Sequence, residues 1–398
     1  MLAIGAAHRT VLHVARRPCW PPPPGAVTPA GAEAATAHDG PLDFAWSTAA
    51  TLEPFVEGRE FFPRILADVE AARSSVHILM FGWREGEVGM RMTALLERKL
   101  AEGIEVRIQI DEFGSKPFKQ AREMYARLAA AGAQTEVNRF LREQPGRVDH
   151  RKLYVIDGAV AWTGGAGIED HFEDGRFHDV MVRVTGDVVR QAQAAFLTSF
   201  RARGGALPAD VSHLFPEPED AGSTPIALAQ VLPGGFVAAS QATLEQIGGA
   251  RERLDVMNPY LTDGDAIERI IAAARRGAKV RVVVSERSNN HLATAALKHR
   301  YPDLIEAGVE LWELPGTVVH AKVVVADDVV SFGTVNLDAW ALYRNSELMM
   351  IARSAELASV FREHLFEPDI ARAKRGTPPA GSRERMASWA GNKLAYYL

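Results

Sequence analysis

The same order of helix and strand patterns occurs twice along this chain, and this duplication is the strongest constraint on its fold. Each half shows a helical pattern, an apolar strand, an amphipathic helix that ends at glycine, and a second strand. These are Phe62–Ala72, Val76–Trp83, Leu95–Gly103 and Ile104–Ile110 in the first half, and Ala242–Arg251, Leu254–Leu261, Ile267–Gly277 and Ala278–Ser285 in the second. Strands that alternate with helices predict parallel sheets covered by helices, and the glycines suit left-handed helix caps. We therefore predict two α/β units that pack as a pseudo-dimer within one chain.

Length, charge and cysteine content exclude several other classes of protein. The 398 residues exceed the roughly 250–300 at which a single core stops growing, which agrees with two halves. A net charge of −5 disfavours bulk capture of nucleic acid. The single cysteine, Cys19, excludes a disulfide framework and a cysteine-based zinc cluster. Because no apolar stretch approaches the roughly 20 residues of a membrane-spanning helix, we expect a cytoplasmic protein that at most touches the inner face of the membrane.

Composition divides the chain into five predicted segments. They are a disordered Pro/Ala-rich leader, a first half, a Pro/Glu/Gly-rich linker, a second half and a basic amphipathic tail, over residues 1–45, 46–206, 207–225, 226–370 and 371–398. A targeting peptide is the alternative interpretation of the leader, which has no acidic residue before Glu33. The tail combines cations with aromatic residues. It would suit either a helix on an anionic membrane surface or a terminal helix that docks its apolar side on the body.

A His-x-Lys motif occurs at the same place in each half. The two copies read His150-Arg-Lys152-Leu-Tyr-Val-Ile-Asp157 and His320-Ala-Lys322-Val-Val-Val-Ala-Asp327. Side chains alternate along a strand, so the histidine and the lysine of each copy point to the same side. This pair suits a phosphate group, because the ammonium neutralises an oxygen while the imidazole attacks phosphorus or gives a proton to a leaving oxygen. A solvated strand edge would explain one copy, but two matching copies favour a shared catalytic site.

The two copies resemble the double His-x-Lys-x(4)-Asp motif of the phospholipase D superfamily, and the resemblance is closest to its bacterial cardiolipin synthase branch. It extends from about Phe61 to about Glu367 and includes Asn258-Pro259-Tyr260 at a strand end. The resemblance implies an α/β fold of two duplicated phospholipase D-like sandwich halves, packed as a pseudo-dimer. It also implies one site at the interface of the halves, without a metal or another cofactor.

The resemblance assigns roles to the residues that match the family's pattern. It implies that His150 attacks phosphorus to give a phosphohistidine, while His320 protonates the departing alcohol and later acts as a base. The lysines of both motifs and Asn336 would hold the phosphate oxygens in the transition state. Asp179 and Glu347 would orient the two histidines, each by binding the other ring nitrogen.

Each motif copy also contains an aspartate, Asp157 or Asp327, which the resemblance places in the catalytic set. Each lies where its strand gives way to a turn, so a local structural role is the natural interpretation from the residues themselves. Two other positions depart from the family's pattern. Gly167 stands where the first copy is expected to have an asparagine, which removes one side-chain donor. Asp149 stands directly before the first histidine, where related sequences often have an asparagine.

The favoured function is phosphodiester transfer or hydrolysis on a glycerophospholipid, of the phosphatidyltransferase or phospholipase D type. A nuclease of the same superfamily is a second interpretation, which the net charge disfavours. A third is a catalytically weak protein that binds anionic lipids, and the oligomeric state stays open. Five further histidines lack a second metal-type ligand at suitable spacing, and we interpret them as core or surface residues: His77, His171, His178, His291 and His299.

Overall fold

The structure is a computed structural model that describes residues 45–116, 118–139, 146–232 and 234–394. The predicted leader, apart from residue 45, lies outside the described residues, and so does Cys19. In chain order the first half contains β1 (Ser47–Ala49), β2 (Thr51–Val56), α1 (Gly58–Ala71), β3 (Ser75–Met80), α2 (Glu87–Ala101), β4 (Glu105–Asp111), α3 (Phe118–Ala130), β5 (Gln134–Asn138), β6 (Lys152–Ile156), β7 (Val160–Gly164), α4 (Asp170–Glu173), β8 (Phe177–His178), β9 (Val180–Thr185) and α5 (Val188–Ala202).

The second half follows a short 3-10 turn at Ser212–Leu214. It contains β10 (Thr224–Leu232), β11 (Phe236–Val237), α6 (Ala238–Gly249), β12 (Arg253–Met257), α7 (Gly264–Arg275), β13 (Lys279–Ser285), α8 (His291–Glu306), β14 (Glu310–Leu314), β15 (Val318–Val319), β16 (Val323–Ala326), β17 (Val329–Gly333), α9 (Ala339–Tyr343), β18 (Glu347–Arg353), α10 (Ala355–Phe361), a π-helical turn (Arg362–Phe366), α11 (Glu367–Arg372), β19 (Lys374–Arg375) and α12 (Ser382–Leu394).

Two sheets share one arrangement of seven strands, and the second sheet adds β1 from the first half as well as β11 and β19. The first sheet has the order β2-β9-β7-β6-β3-β4-β5, and the second has β1-β10-β18-β17-β16-β12-β13-β14-β19 with β11 beside β10. Helices connect β3 to β4 to β5, and β12 to β13 to β14, so these strands run parallel. The other neighbouring pairs are antiparallel, which corrects the expectation of parallel sheets. The turn from β6 to β7 spans residues 157–159 and is too short for the crossover that a parallel pair needs.

Local sequence signals explain where several elements begin and end. Gly103 and Gly277 have φ values of 85° and 101°, which confirms the left-handed conformation predicted after the two amphipathic helices. Strands β6 and β16 begin at Lys152 and Val323, so both motif histidines lie just before a strand instead of inside it. The reason is that the backbone at each histidine bonds to the opposite half and not to its own sheet.

The two sheets share one central apolar cluster. In β6 the side chains of Leu153 and Val155 lie in this cluster, whereas Tyr154 and Ile156 lie in the cluster on the other face of the first sheet. Strand β16 shows the same alternation, and its second cluster covers the outer face of the second sheet. Strands that are buried on both faces have continuous apolar sequences, and both motif strands have such a sequence. The central cluster, which also contains α5 and α10, holds the two halves as one compact unit.

The tail docks on the body through small residues. Helix α12 packs on α8, where Ser388 and Gly391 are buried, and a Cβ at Gly391 would lie 2.8 Å from the Cβ of Ala295. The large apolar side chains of α12 face outward: Met386, Trp389 and Leu394 are 68%, 55% and 45% exposed. The helix therefore docks on the body, but not with the large apolar side chains that a docking tail was expected to bury. None of the helices in the described part of the chain is long and apolar enough to span a membrane.

Candidate active site

The two halves meet through reciprocal backbone contacts at the motif histidines. The His150 N–H donates to Ser346 O at 2.9 Å, and the Ser346 N–H donates to Val148 O at 2.9 Å. On the other side β15 pairs with β8, and the His320 N–H donates to His178 O at 2.8 Å. The backbone of each motif histidine is therefore hydrogen-bonded to a residue of the opposite half that directly precedes an acid. Ser346 precedes Glu347, and His178 precedes Asp179.

This exchange places each histidine beside an acid from the other half. Nδ1 of His150 lies 3.0 Å from Oε2 of Glu347, and Nδ1 of His320 lies 2.7 Å from Oδ2 of Asp179. Because Nδ1 is engaged in both rings, Nε2 is the nitrogen that would face a substrate, and in His320 this atom lies 3.3 Å from Nζ of Lys322. Each motif histidine is thus paired with an acid of the opposite half, so the site forms where the two halves meet.

The two acids are held in different ways. Glu347 accepts a hydrogen bond from the Thr334 hydroxyl at 2.5 Å and a longer one from Nδ2 of Asn345 at 3.4 Å. Asp179 accepts from the Val180 N–H at 2.7 Å, and its carboxylate lies directly against Gly165. A Cβ at Gly165 would be 2.5 Å from both Asp179 oxygens, so this position needs glycine to leave room for the acid.

The motif lysines are buried beside the histidines. Nζ of Lys152 donates to the backbone carbonyl of His150 at 2.6 Å and lies 4.8 Å from the centre of the Phe81 ring. Nζ of Lys322 bonds to the backbone carbonyl of His320 and lies 2.9 Å from Nδ1 of the same residue. Burial, together with repulsion by Lys322, lowers the pKa of Lys152 to about 7, and burial lowers the pKa of Lys322 to about 8.

The same burial and the lysine charges keep both imidazoles neutral. Burial first, and then the two ammonium groups, lower the pKa of His150 well below its usual value. Burial and Lys322 lower the pKa of His320 to about 3. A bound phosphodiester anion would offset the lysine charges, so it would raise the pKa of both rings.

The two orienting acids differ in ionisation. Burial would raise the pKa of Asp179, but the hydrogen bond and charge of His320, with the charge of Lys322, bring that pKa below its usual value. Burial raises the pKa of Glu347 to about 8, although both lysines oppose this effect. At neutral pH Asp179 is ionised, whereas Glu347 is largely protonated.

Aromatic side chains fix the planes of the two imidazoles. The Phe81 ring packs edge-on against His150 with the ring centres 4.7 Å apart. Phe172 and Phe177 pack against His320 at 5.3 Å and 5.6 Å. Rings held by packing on one side and by a carboxylate on the other have little freedom to turn away from the shared site.

The halves differ at the position of the expected asparagine. In the second half Asn336 is buried, and its Oδ1 has no hydrogen-bond partner among the described residues. In the first half a Cβ at Gly167 would meet the Gly82 carbonyl oxygen at 2.7 Å and Oε1 of Glu169 at 2.8 Å. Any side chain larger than hydrogen at position 167 would therefore clash, and the carboxylate of Glu169 fills the space instead.

Comparison with known proteins agrees with this arrangement. A family model described as "Cardiolipin synthase, PLD-like domain" matches residues 65–198 and 243–368, one match in each half and more than half of the chain in total. The chain belongs to this family. It is therefore an enzyme of the phospholipase D type, a phosphatidyltransferase or phosphodiesterase with two phospholipase D-like repeats.

Similar proteins support the assignment to this PLD-like family. The chain is 26% identical over 343 residues to a cardiolipin synthase of Listeria monocytogenes serotype 4b (strain CLIP80459), which covers 82% of this chain and 70% of that protein. It is also 26% identical over 341 residues to cardiolipin synthase 1 of Staphylococcus aureus (strain COL), covering 82% and 68%.

Solved structures show the same fold at low identity. Phosphatidylserine synthase of Haemophilus influenzae Rd KW20 matches with a TM-score of 0.65 and 14% identity, over 89% of this chain and 98% of that one. Polyphosphate kinase of Porphyromonas gingivalis matches with a TM-score of 0.56 and 13% identity, over 86% and 53%. These two similarities concern the fold alone.

The two aspartates of the PLD-like motif lie at the opposite end of each motif strand from the histidines and bind backbone groups there. Seven residues of extended chain separate His150 from Asp157, a span of about 23 Å. Asp157 has a φ of 54° and accepts from the backbone N–H groups of Arg73, Ser74 and Ser75. Asp327 has a φ of 52° and binds the backbone N–H groups of residues 251–253 in the same way. Both hold the loop before a neighbouring strand, as their place at a turn indicated.

The other departure in the first motif copy, Asp149, is paired within its own half, and its charge acts on the neighbouring His150, whose pKa it raises. The carboxylate of Asp149 is paired with the guanidinium of Arg151 at 2.6 Å and accepts a hydrogen bond from Gln109 at 3.1 Å. Its charge is therefore balanced within the first half. Within the described ranges no three His, Cys, Asp or Glu side chains are grouped as metal ligands.

His178 has a larger role than that of a lone core histidine. It is buried, with Nδ1 at 2.9 Å from Glu57 of the first half and Nε2 at 2.7 Å from Asp369 of the second. Burial would lower the pKa of His178, but the two carboxylates raise it to about 9. The resulting imidazolium joins both halves one residue before Asp179. Its partner Asp369 is 191 residues away in sequence, so no local pattern pointed to the contact.

Proposed function

We propose that the protein transfers the phosphatidyl group of a glycerophospholipid to an alcohol or to water, through a phosphohistidine and without a bound metal. The observation that carries this proposal is the reciprocal placement of His150 against Glu347 and His320 against Asp179. A two-step displacement at one phosphorus needs a neutral imidazole that attacks and a second imidazole that carries a proton for the departing oxygen, with cations nearby to balance the phosphate charge.

In the first step Nε2 of His150 attacks phosphorus, and a nitrogen–phosphorus bond replaces the bond to the departing alcohol. His320 is protonated once the anionic substrate offsets the charge of Lys322, and this imidazolium gives its proton to the departing oxygen. In the second step His320 takes a proton from water or from an acceptor alcohol, whose oxygen attacks phosphorus and releases His150. If donor and acceptor are both phosphatidylglycerol, the products are cardiolipin and glycerol.

The electrostatics support His320 as the acid. An imidazolium is stabilised by an ionised carboxylate on its other nitrogen, and Asp179 is ionised at neutral pH. The anionic substrate would offset Lys322, which holds the pKa of His320 down in the empty site. His150 remains neutral beside the largely protonated Glu347, as a nucleophile must.

The phosphate oxygens would be held mainly by the two motif lysines and by Asn336 of the second half. Lys152 and Lys322 supply positive charge on both sides of the phosphorus, and the amide of the buried Asn336 would donate from Nδ2 to a phosphate oxygen. Such preorganised groups stabilise the charge that develops in the five-coordinate transition state.

A substrate panel tests the proposed function. Wild type and His150→Ala are given phosphatidylglycerol vesicles, single-stranded DNA and bis-p-nitrophenyl phosphate, each with and without EDTA. We expect glycerol with cardiolipin, or phosphatidic acid, from wild type in both conditions, and no product from His150→Ala. His291→Ala, at an exposed histidine of α8, is the matched control and should retain full activity.

Each alternative has its own outcome in this panel. Cleavage of DNA without lipid turnover would establish the nuclease instead. Vesicle binding without any product would establish a lipid-binding protein, and loss of activity in EDTA would contradict the metal-independent mechanism.

We also propose that α12 carries the enzyme to anionic phospholipid. Its exposed Met386, Trp389 and Leu394 are accompanied by exposed cationic residues, Arg383, Arg385 and Lys393, and by one acid, Glu384. Aromatic and apolar side chains beside cations suit the interface of an anionic membrane, and the helix is already held on α8 by its small residues.

Vesicle sedimentation tests this contact. Wild type should sediment with phosphatidylglycerol vesicles more than with phosphatidylcholine vesicles, and Met386→Ser/Trp389→Ser should reduce sedimentation by about tenfold or more. Leu292→Ser, at an exposed residue of α8, is the control. Equal sedimentation of all three proteins would contradict the proposal.

A further inference from the structure

Glu169 and Asp338 occupy matching positions but perform different tasks. Asp338 lies two residues after Asn336, and its side chain accepts from the backbone N–H groups of Trp340 and Ala341, both at 2.9 Å. Glu169 lies two residues after Gly167 and makes no such bond to the helix that follows it. Its side chain turns back over the glycine instead.

The surroundings of Glu169 place its carboxylate on the first-half wall of the active site. The residue is 7% exposed, and Oε2 pairs with Nε of Arg84 at 2.7 Å. Oε1 lies over Gly167 and Gly82, and a side chain at either glycine would collide with it. Gly82 follows Phe81, whose ring packs on His150, and the charge of Lys152 acts on the carboxylate of Glu169.

A carboxylate cannot replace an asparagine as a ligand of phosphate oxygens. An ionised carboxylate only accepts hydrogen bonds, and its charge repels an anionic diester. The part of a phosphodiester substrate that can donate to Glu169 is therefore the alcohol. Burial raises the pKa of the Glu169 carboxyl to about 7, although the charges of Arg84 and Lys152 oppose this effect. The ionised form is paired with Arg84, so a neutral hydroxyl suits it better than an ammonium group.

We propose that Glu169 is a specificity-determining residue that binds the hydroxyl groups of a polyol carried by the substrate, so that the site prefers a glycerol-type alcohol to one without hydroxyls. This inference rests on the proposed function for its substrate class. The two walls of the site then have separate tasks: Asn336 faces the phosphate, and Glu169 faces the alcohol.

Calorimetry with water-soluble diesters tests the proposal on the full chain. The probes are glycerophosphoglycerol, glycerophosphoethanolamine and dimethyl phosphate. We expect wild type to bind glycerophosphoglycerol more tightly than dimethyl phosphate and Glu169→Ala to lower that preference by about tenfold or more, since hydrogen bonds to charged groups are strong. Glu169→Gln keeps an acceptor oxygen and should retain most of the preference, while dimethyl phosphate binds equally well or better.

Control variants and the remaining outcomes keep the result decisive. Glu173→Ala removes another acid of the same short helix, which pairs with Arg91 at 2.5 Å, and should leave the preference unchanged. An unchanged preference in Glu169→Ala, or an equal loss of affinity for all three probes, would overturn the proposal. A preference for glycerophosphoethanolamine that depends on Glu169 would overturn the hydroxyl assignment.

Binding also separates this inference from the proposed function. A hydroxyl preference that Glu169→Ala removes, in a protein that turns over no phospholipid, supports the inference and contradicts the function. If the protein turns over phospholipid and Glu169→Ala leaves the hydroxyl preference unchanged, the function is supported and the inference is contradicted.

Discussion

The two halves of the molecule share one backbone plan around the site but differ in the side chains that surround the reacting groups. Each half supplies a histidine, a lysine and an acid. The matching positions that differ include Gly165 and Thr334, Gly167 and Asn336, Glu169 and Asp338, and His178 and Ser346. One phosphorus needs a nucleophile on one side and an acid on the other, so both copies of the reacting groups are required. In the proposed function the surrounding positions would face unlike parts of a substrate, so they are able to take separate tasks.

The largest expected effect concerns which half supplies the nucleophile. His150→Ala should lower kcat/KM at least about 10³-fold for every diester, because no phosphohistidine forms. His320→Ala should lose as much with phospholipid but much less with a p-nitrophenyl diester, whose leaving group needs no proton. Intact-mass spectrometry should find the phosphoryl adduct on His150 in His320→Ala. An adduct on His320 in the other variant would reverse the roles of the halves.

The second largest effect concerns His178 of the first half, because the second half has Ser346 at the matching position. The pKa of His178 is raised to about 9 in the folded protein, so its contribution to stability is complete below about pH 6.5 and is lost as pH rises through 9. We expect the free energy of unfolding of wild type to fall by about 2–3 kcal/mol relative to His178→Gln over this interval. Denaturant unfolding at pH 6 and pH 9.5 measures it. A constant difference between the two proteins would refute the charged link.

The third effect compares the orienting acids. Asp179→Asn removes an ionised carboxylate from His320 and should lower kcat about 10- to 100-fold at pH 7. Glu347→Gln replaces a largely protonated acid and should lower kcat less than about tenfold. Steady-state kinetics and a thermal melt of each variant separate catalysis from folding. Equal losses would show that the two pairs act alike.

The smallest effect concerns the two lysines. Because the pKa values are about 7 for Lys152 and about 8 for Lys322, their positive charges are lost as pH rises through this range. The dissociation constant for dimethyl phosphate should then rise, by less than about tenfold in total, because the attraction of each charge is finite and the other polar groups of the site stay in place. Titration calorimetry from pH 6 to pH 9 measures this change. Lys152→Met should show only the transition near pH 8, which belongs to Lys322. An affinity that does not change with pH would contradict the lowered pKa of both lysines.

Much of the fold followed from local patterns. The helices before β3 and β12 and the glycine caps at Gly103 and Gly277 were predictable, because burial on one face leaves a periodic trace in the chain. The antiparallel strands β7, β9, β17 and β18 were not predicted. Their pairing depends on the short turn after each motif and on neighbours distant in sequence, which a parallel α/β pattern does not reveal.

The site, like the fold, has residues that the sequence predicted and contacts that only the structure revealed. His150, His320 and their lysines could be named from the chain, because residue type and spacing record the chemistry and the duplication. The chain alone did not tell that Asp179 serves His320 and that Glu347 serves His150, nor that Glu169 closes the space over Gly167. Hydrogen bonds depend on separations of about 3 Å in space, and these are set by the packing of two halves whose partners lie well over a hundred residues apart.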